Sequence, residues 1–276
     1  MRHLHIDIET RCKLDVGDVG VYRYAEDPTF SIILFAYSWD DGPTTALDMT
    51  NDTYPGESIP ADVWLAFIDS NVLKIAHNAN FEYVCIKTYY GISLILKQWY
   101  CTMIAAAYLG LPLSLGEVSK VLGLSQQKDA RGKALITYFC KPCKPTKKNG
   151  GRTQNLPEHD PEKWAEFKDY NAQDVRTEKE IYKYISRFPG LPERERQYWV
   201  LDQIINETGI TVDSEFINAA IEANEYFTKK VHDEIVSITG VDNPNSLTQL
   251  KKWLFKELGH RSEERRVGKE CRSRWS

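Results

Sequence analysis

Asp7 and Glu9, in the stretch His5-Ile6-Asp7-Ile8-Glu9-Thr10, are the first residues whose types and spacing could do chemistry. Leu4, Ile6 and Ile8 alternate with His3, His5, Asp7 and Glu9, so a strand here carries one apolar and one polar face. Two carboxylates at successive same-face positions lie close enough to share hard divalent cations such as Mg²⁺, whose oxygen ligation suits phosphate chemistry. A half-buried strand with its polar face turned to water gives the same alternation. Glu82 is a third candidate: it sits in His77-Asn78-Ala79-Asn80-Phe81-Glu82, in the first turn of a predicted helix that directly follows a strand. A carboxylate there also complements the helix dipole without any further role. Tyr170 and Asp174 are four residues apart on a predicted long helix, so their side chains share a face. That face lies on or beside the apolar stripe of Trp164, Phe167, Ile181 and Ile185, where a carboxylate costs free energy unless it is paired or bound to metal.

The elements that must position these groups can be read in order. After the Asp7/Glu9 strand, residues 16–27 read as a loop rich in Gly, Asp and Tyr. Residues 31–39 and 44–49 read as strands flanking the Asp41-Gly42 turn. Within the loop, Tyr22, Arg23 and Tyr24 combine aromatic and basic groups suited to stacking on and neutralising a single strand, or to an ordinary surface. Pro60 opens a helix over 61–70, 72–76 returns as a buried strand, and Gly91 stops the Glu82 helix after Tyr90. Residues 101–109 read as a small-residue helix. Ser114 and Glu117 form a capping-box pattern. Lys141, Lys144, Lys147, Lys148 and Arg152 lie in a Pro/Gly loop, either a solvated excursion or a phosphate-contacting flap. Asp160-Pro161 starts the long helix, with Asp as N-cap and Pro in its first turn. Pro189-Gly190-Leu191-Pro192 reads as a linker to a second helical region.

Composition bounds the function classes. The 276 residues are 42% hydrophobic and 27% charged, as in a soluble globular protein with room for a sizeable core. A formal charge of −4 advertises no global affinity for nucleic acid, so an anionic ligand must be drawn by local basic groups or by bound metal. No apolar run is long enough for a membrane span, and the amino terminus lacks a signal-peptide core, which together predict a cytoplasmic protein. Six cysteines at irregular spacing fit reduced thiols. Cys140-Lys141-Pro142-Cys143 lacks the second CxxC of a zinc site.

Taken together, Asp-x-Glu on a first strand, an acidic residue after Asn-x-x-Phe, and Tyr-x-x-x-Asp on a late helix resemble the three motifs of proofreading 3′-to-5′ exonucleases. The tyrosine in the last motif is similar to the exonuclease domain of family A DNA polymerases. Gly20-Val21-Tyr22-Arg23-Tyr24-Ala25-Glu26 and His77–Glu82 resemble bacteriophage-type members. The resemblance covers about residues 4 to 187. It implies an α/β, ribonuclease-H-like fold: a mixed five-stranded sheet with helices on both sides and one antiparallel strand. It also implies two Mg²⁺ or Mn²⁺ ions held by Asp7, Glu9, Glu82 and Asp174, with Tyr170 orienting the attacking water. The implied partner is the 3′ end of single-stranded DNA, contacted by Tyr22, Arg23, Tyr24, Asn78, Phe81, Lys147 and Lys148. Glu82 departs from the commoner aspartate of the family pattern.

Residues 191–260, with Asp202–Asn206 and Asn243–Ser246, resemble the segment joining exonuclease to thumb in those polymerases, giving an exonuclease domain over 1–190 and an all-helical thumb-like region over 191–260. No palm carboxylates follow, so polymerisation is not expected of this chain, whose partner would be the missing polymerase domain. Residues 261–276 resemble a translated sequencing adapter and are set aside as a non-native tail; a genuine basic tail is the alternative. Two other functions fit parts of the pattern. One is a catalytically inactive DNA-binding scaffold. The other is an aspartyl-nucleophile phosphatase suggested by Asp7-Ile8-Glu9-Thr10, which leaves Tyr170 and Asp174 unexplained.

Overall fold

A computed structural model describes residues 1–125 and 132–258. Strand β1 (Arg2–Arg11) is the centre of a five-stranded sheet of order β3-β2-β1-β4-β5. β2 (Ser31–Trp39) pairs antiparallel with β1 and with β3 (Thr44–Asp48), whereas β4 (Val72–Ala76) and β5 (Trp99–Cys101) extend the sheet in parallel. β2 is therefore the one strand running against the rest. This is the α/β, ribonuclease-H-like arrangement that the sequence resemblance implies.

The central position of β1 decides the fate of its polar face. Leu4, Ile6 and Ile8 join one core with α1 (Val16–Glu26), α2 (Ala61–Ile68) and α3 (Asn80–Tyr90). The alternate residues are not turned to water: His5 and Glu9 are buried as well, beneath α7 (Pro161–Ile185), which packs across β1, β2 and β3. α7 starts as its sequence demands. The Asp160 carboxylate accepts from the Lys163 amide at 3.1 Å, and Pro161 occupies the first turn, where no amide donor is needed. A second core of Ile33, Leu34, Leu135, Phe139, Trp164, Phe167 and Tyr170 joins the sheet to α6 (Gly132–Phe139) and α7.

Helices α4 (Thr102–Tyr108) and α5 (Leu115–Val121) follow β5, and the Ser114 hydroxyl accepts from the Glu117 amide at 3.2 Å. Gly91 ends α3 in the left-handed region at φ 63°. One local expectation is corrected. Residues 16–27 are not a loop but α1, capped by Asp15 and broken at Gly20, whose φ of 76° and ψ of 162° only glycine adopts freely. The short β5 and α6 carry no sequence pattern that predicts them.

The first compact unit spans Met1–Thr208 and takes in α8 (Glu193–Thr208), whose Trp199 and Val200 enter the β1 core. The Tyr22 hydroxyl donates to the Gln203 carbonyl at 3.4 Å, and Lys87 pairs with Glu207. A second unit begins at Gly209. It contains α9 (Ser214–Thr239), capped by Asp213 and ended by left-handed Gly240, and α10 (Leu247–Leu258), whose Gln249 amide donates to Ser246 Oγ at 3.4 Å. The adapter-like stretch 261–276 lies outside the described residues. No helix among the described residues is long and apolar enough to cross a membrane.

Candidate active site

β1 supplies Asp7 and Glu9, and α7, crossing above it, supplies Asp174. One carboxylate oxygen from each lies within 4.8 Å of the others. Three carboxylates this close repel one another in a partly buried setting unless a cation joins them. An all-oxygen donor set fits the hard cations Mg²⁺ or Mn²⁺ rather than a softer metal.

The residue after Tyr170 proves to matter, although nothing in the sequence pattern marked it. Asn171 is fully buried, and its Nδ2 donates to Asp7 Oδ2 at 2.7 Å and to the Asp7 carbonyl at 3.3 Å. This fixes the Asp7 carboxylate on α7 as well as on its own strand. One turn beyond Asp174, Glu178 Oε2 lies 2.6 Å from His5 Nδ1, a buried pair on the Asp7 face of β1. Its only prior signal was the position of His5 on the polar alternation.

Tyr170 is buried and hydrogen-bonded to Asp174. Burial, and then the negative charges of Asp174, Glu9 and Asp7, drive its phenol pKa far upward, so the group stays protonated and acts as a donor. Its ring is backed by the first residue of α6. A Cβ on Gly132 would fall 2.1 Å from Tyr170 Cε2 and 2.8 Å from its hydroxyl oxygen, so only glycine fits. Gly132→Ala is therefore expected to cost about 1–3 kcal/mol by overpacking, read as a lowered Tm. In a Tyr170→Ala background the added methyl finds space, and the penalty should largely vanish. Equal penalties in both backgrounds would contradict the contact.

Glu82 enters from the first turn of α3. It is 3% exposed, and its Oε2 is buried without a hydrogen-bond partner. It is not one of the three converged ligands, but burial and then the charges of Asp7 and Glu9 raise its pKa well above 4.5. A buried carboxylate oxygen without a partner, beside three other carboxylates, suits a hard cation. The sign of its pH linkage follows. Because the folded-state pKa is raised, the protonated Glu82 favours the fold fully below about 4.5, and this contribution is lost as pH climbs through the raised value. Added Mg²⁺ or Mn²⁺ must displace that proton, so the metal-induced rise in Tm should grow with pH above about 5. A rise independent of pH in melts from pH 5 to 8 would contradict this placement of Glu82.

The remaining anticipated groups are dispersed. Tyr24 is a core residue: its hydroxyl lies 3.0 Å from Thr10 Oγ1, and its ring packs on Phe30 and Phe81, so it offers no stacking surface. Tyr22 is partly buried against α8, and Arg23 is exposed. Asn78 is exposed at φ 70°, and Phe81 is partly buried one residue before Glu82. Lys147 and Lys148 are exposed on their loop. Cys140 is buried, while Cys143 Sγ is held against the Arg152 carbonyl at 3.4 Å.

No family model matches the chain. A DNA polymerase of Bacillus phage SP02 is 48% identical over 254 residues, 92% of this chain, and the chain spans 38% of that relative's length. Among solved structures, Brucella melitensis NrnC with bound Mg²⁺ overlays with a TM-score of 0.41 at 14% identity, covering 67% of this chain and 72% of that one. The catalytic core of RRP6 from Trypanosoma brucei gives a TM-score of 0.37 at 15% identity, covering 66% and 40%. Likeness of that degree assigns no chemistry, and the reading below rests on the chain's own residues and its phage relative.

Proposed function

We propose that this chain is a metal-dependent 3′-to-5′ exonuclease that removes nucleoside 5′-monophosphates from single-stranded DNA, as the proofreading part of a family A polymerase. The observation that carries it is the convergence of Asp7, Glu9 and Asp174 within 4.8 Å, beneath the buried Tyr170. The identity to a phage protein named DNA polymerase supports the same reading. Asp7, Glu9, Asp174 and Glu82 would hold two Mg²⁺ or Mn²⁺ ions. Bound there, such ions polarise a phosphodiester and lower the pKa of water.

The chain's own groups have separable tasks. Asn171 holds the Asp7 carboxylate in one orientation. Tyr170, kept protonated and donating to Asp174, has its hydroxyl oxygen left to accept from, and so orient, an attacking water. Gly132, lacking a Cβ, leaves the room that the tyrosine ring occupies. Tyr22, Arg23, Asn78 and Phe81 are proposed to guide the strand, and the cytoplasm is the proposed location. Residues 191–260 are proposed as the start of a thumb-like region. Its α9 exposes Phe216, Ile221, Tyr226 and Phe227, which supports a role against further polymerase structure.

Degradation of a 3′-labelled oligonucleotide in Mg²⁺ or Mn²⁺, abolished by EDTA, tests the reading. Binding without degradation would favour the scaffold alternative, and release of phosphate from small monoesters would favour the phosphatase. That last reading gains nothing from Thr10, whose hydroxyl is engaged by Tyr24. Tyr170→Phe keeps the ring's packing and loses only the hydroxyl. It is expected to slow degradation about 10²-fold, as for one positioning group, with metal affinity unchanged in calorimetric titration. Full activity in that variant would remove Tyr170 from the mechanism.

A further inference from the structure

Arg11 ends β1 on the same alternation as Asp7 and Glu9. Among the described residues its guanidinium has no hydrogen-bond or ion-pair partner, although it is partly buried. Directly across the ladder, Ser31 presents a buried hydroxyl that also lacks a partner. Arg11 lines a cleft of about 520 Å³ together with Cys12, Lys13, Thr29, Thr153 and Gln154, with Pro142 at its wall. The lining holds two cations, several neutral hydrogen-bonding groups and no carboxylate. A guanidinium without a protein partner at the wall of a cleft presents a planar fork that matches a phosphate.

The strand β1 brings the cleft's Arg11 close to the carboxylate site. Arg11 follows Glu9 by two residues, about 7 Å along a strand. The buried Cys140 thiol, raised first by burial, also feels the charges of both Glu9 and Arg11. Position and charge together suit an anion lying just beyond the metal ligands.

We infer that the Arg11 cleft is a subsite for a phosphodiester of the substrate strand, one linkage or more removed from the bond being cut, with Arg11 as its principal ligand and Lys13 at its rim. The inference rests on the exonuclease reading only in taking the anion to belong to a nucleic-acid strand.

The test is a set of fluorescent single-stranded oligonucleotides, each with one neutral methylphosphonate at a successive linkage from the 3′ end. Each is bound to the parent and to Arg11→Ala and followed by anisotropy in EDTA, which needs no turnover. In the parent, neutralising one particular internal linkage should weaken binding about tenfold, the scale of one charge-assisted contact. Arg11→Ala should weaken binding of the all-phosphate strand by a similar factor and be indifferent to the methylphosphonate at that linkage. Its log Kd against log salt should be shallower by about 0.7, one phosphate contact fewer on a single strand. Arg11→Lys should recover part of the loss. Additive losses in the variant, an unchanged salt slope, or no binding by the parent would overturn the subsite. If inorganic phosphate or a mononucleotide protects the cleft while strand binding ignores Arg11, the anion is a free phosphate and the strand assignment is wrong. Failure of the exonuclease reading shows separately, as an absence of hydrolysis in Mg²⁺ by a protein that still binds the series.

Discussion

Asp7→Asn and Asp174→Asn are each expected to lower degradation by about 10³-fold or more while the protein stays folded. The argument is one of charge and shape. Partners that merely orient a metal ligand are typically worth about 10–100-fold, so a residue that is itself a ligand should exceed that range. Asparagine keeps the volume of aspartate, and the carboxamide that replaces the Asp7 carboxylate still has a carbonyl oxygen to accept the 2.7 Å hydrogen bond from Asn171. Removing one of three crowded negative charges also relieves repulsion, so the metal-free Tm should hold or rise. Metal titration and nuclease assay should fail together in these variants. Retained activity in either would remove that residue from the site.

Glu82 gives the second large effect, and its two readouts run in opposite directions. Glu82→Gln removes a buried carboxylate that is raised by burial and by Asp7 and Glu9, so the metal-free protein should melt higher, most clearly above about pH 5. The same change removes the charge that helps hold the cation, and degradation should fall by about 10²-fold or more. Glu82→Asp shortens the arm by one methylene but keeps the charge, and measurable activity should survive because Mg²⁺ retains waters that absorb a shifted ligand. A Glu82→Gln protein that cleaves as well as its parent would reduce Glu82 to a dipole-complementing first-turn residue. The site would then have three protein carboxylates rather than four.

The parts of the fold legible in the sequence were those with a local cause. Strands β1 to β4 follow from alternation or apolar runs bounded by turns. The start of α7 follows from Asp160-Pro161, and the end of α3 from Gly91. α1 was missed because Gly17, Gly20 and three aspartates between residues 15 and 27 read as loop chemistry, whereas Asp15 caps the helix and Gly20 only kinks it. β5, at three residues, is too short to show a period. Alternation along β1 marked Asp7 and Glu9, but it also allowed a wetted polar face. Only the packing of α7 across the sheet shows that this face is buried and that its charges must be answered.

Tertiary proximity accounts for the rest of the site. Tyr170 and Asp174 share a face by helical spacing, yet Asn171 is directed to Asp7, 164 residues earlier, by the crossing of α7 over β1. Gly132 resembles an ordinary small residue until the ring of Tyr170 is placed against it. Arg11 carries no pattern at all. Its interest comes from lacking a partner at the wall of a cleft that holds a second cation and no carboxylate.

The central claim is that these carboxylates cut a strand from its 3′ end, and a time course on a 5′-labelled single-stranded oligonucleotide tests it most directly. With Mg²⁺ or Mn²⁺ the label should descend through a ladder of products each one nucleotide shorter, with nucleoside 5′-monophosphates accumulating, and EDTA should stop it at once. A label that stays at full length with both metals, in a folded protein whose Tm responds to them, would contradict the account.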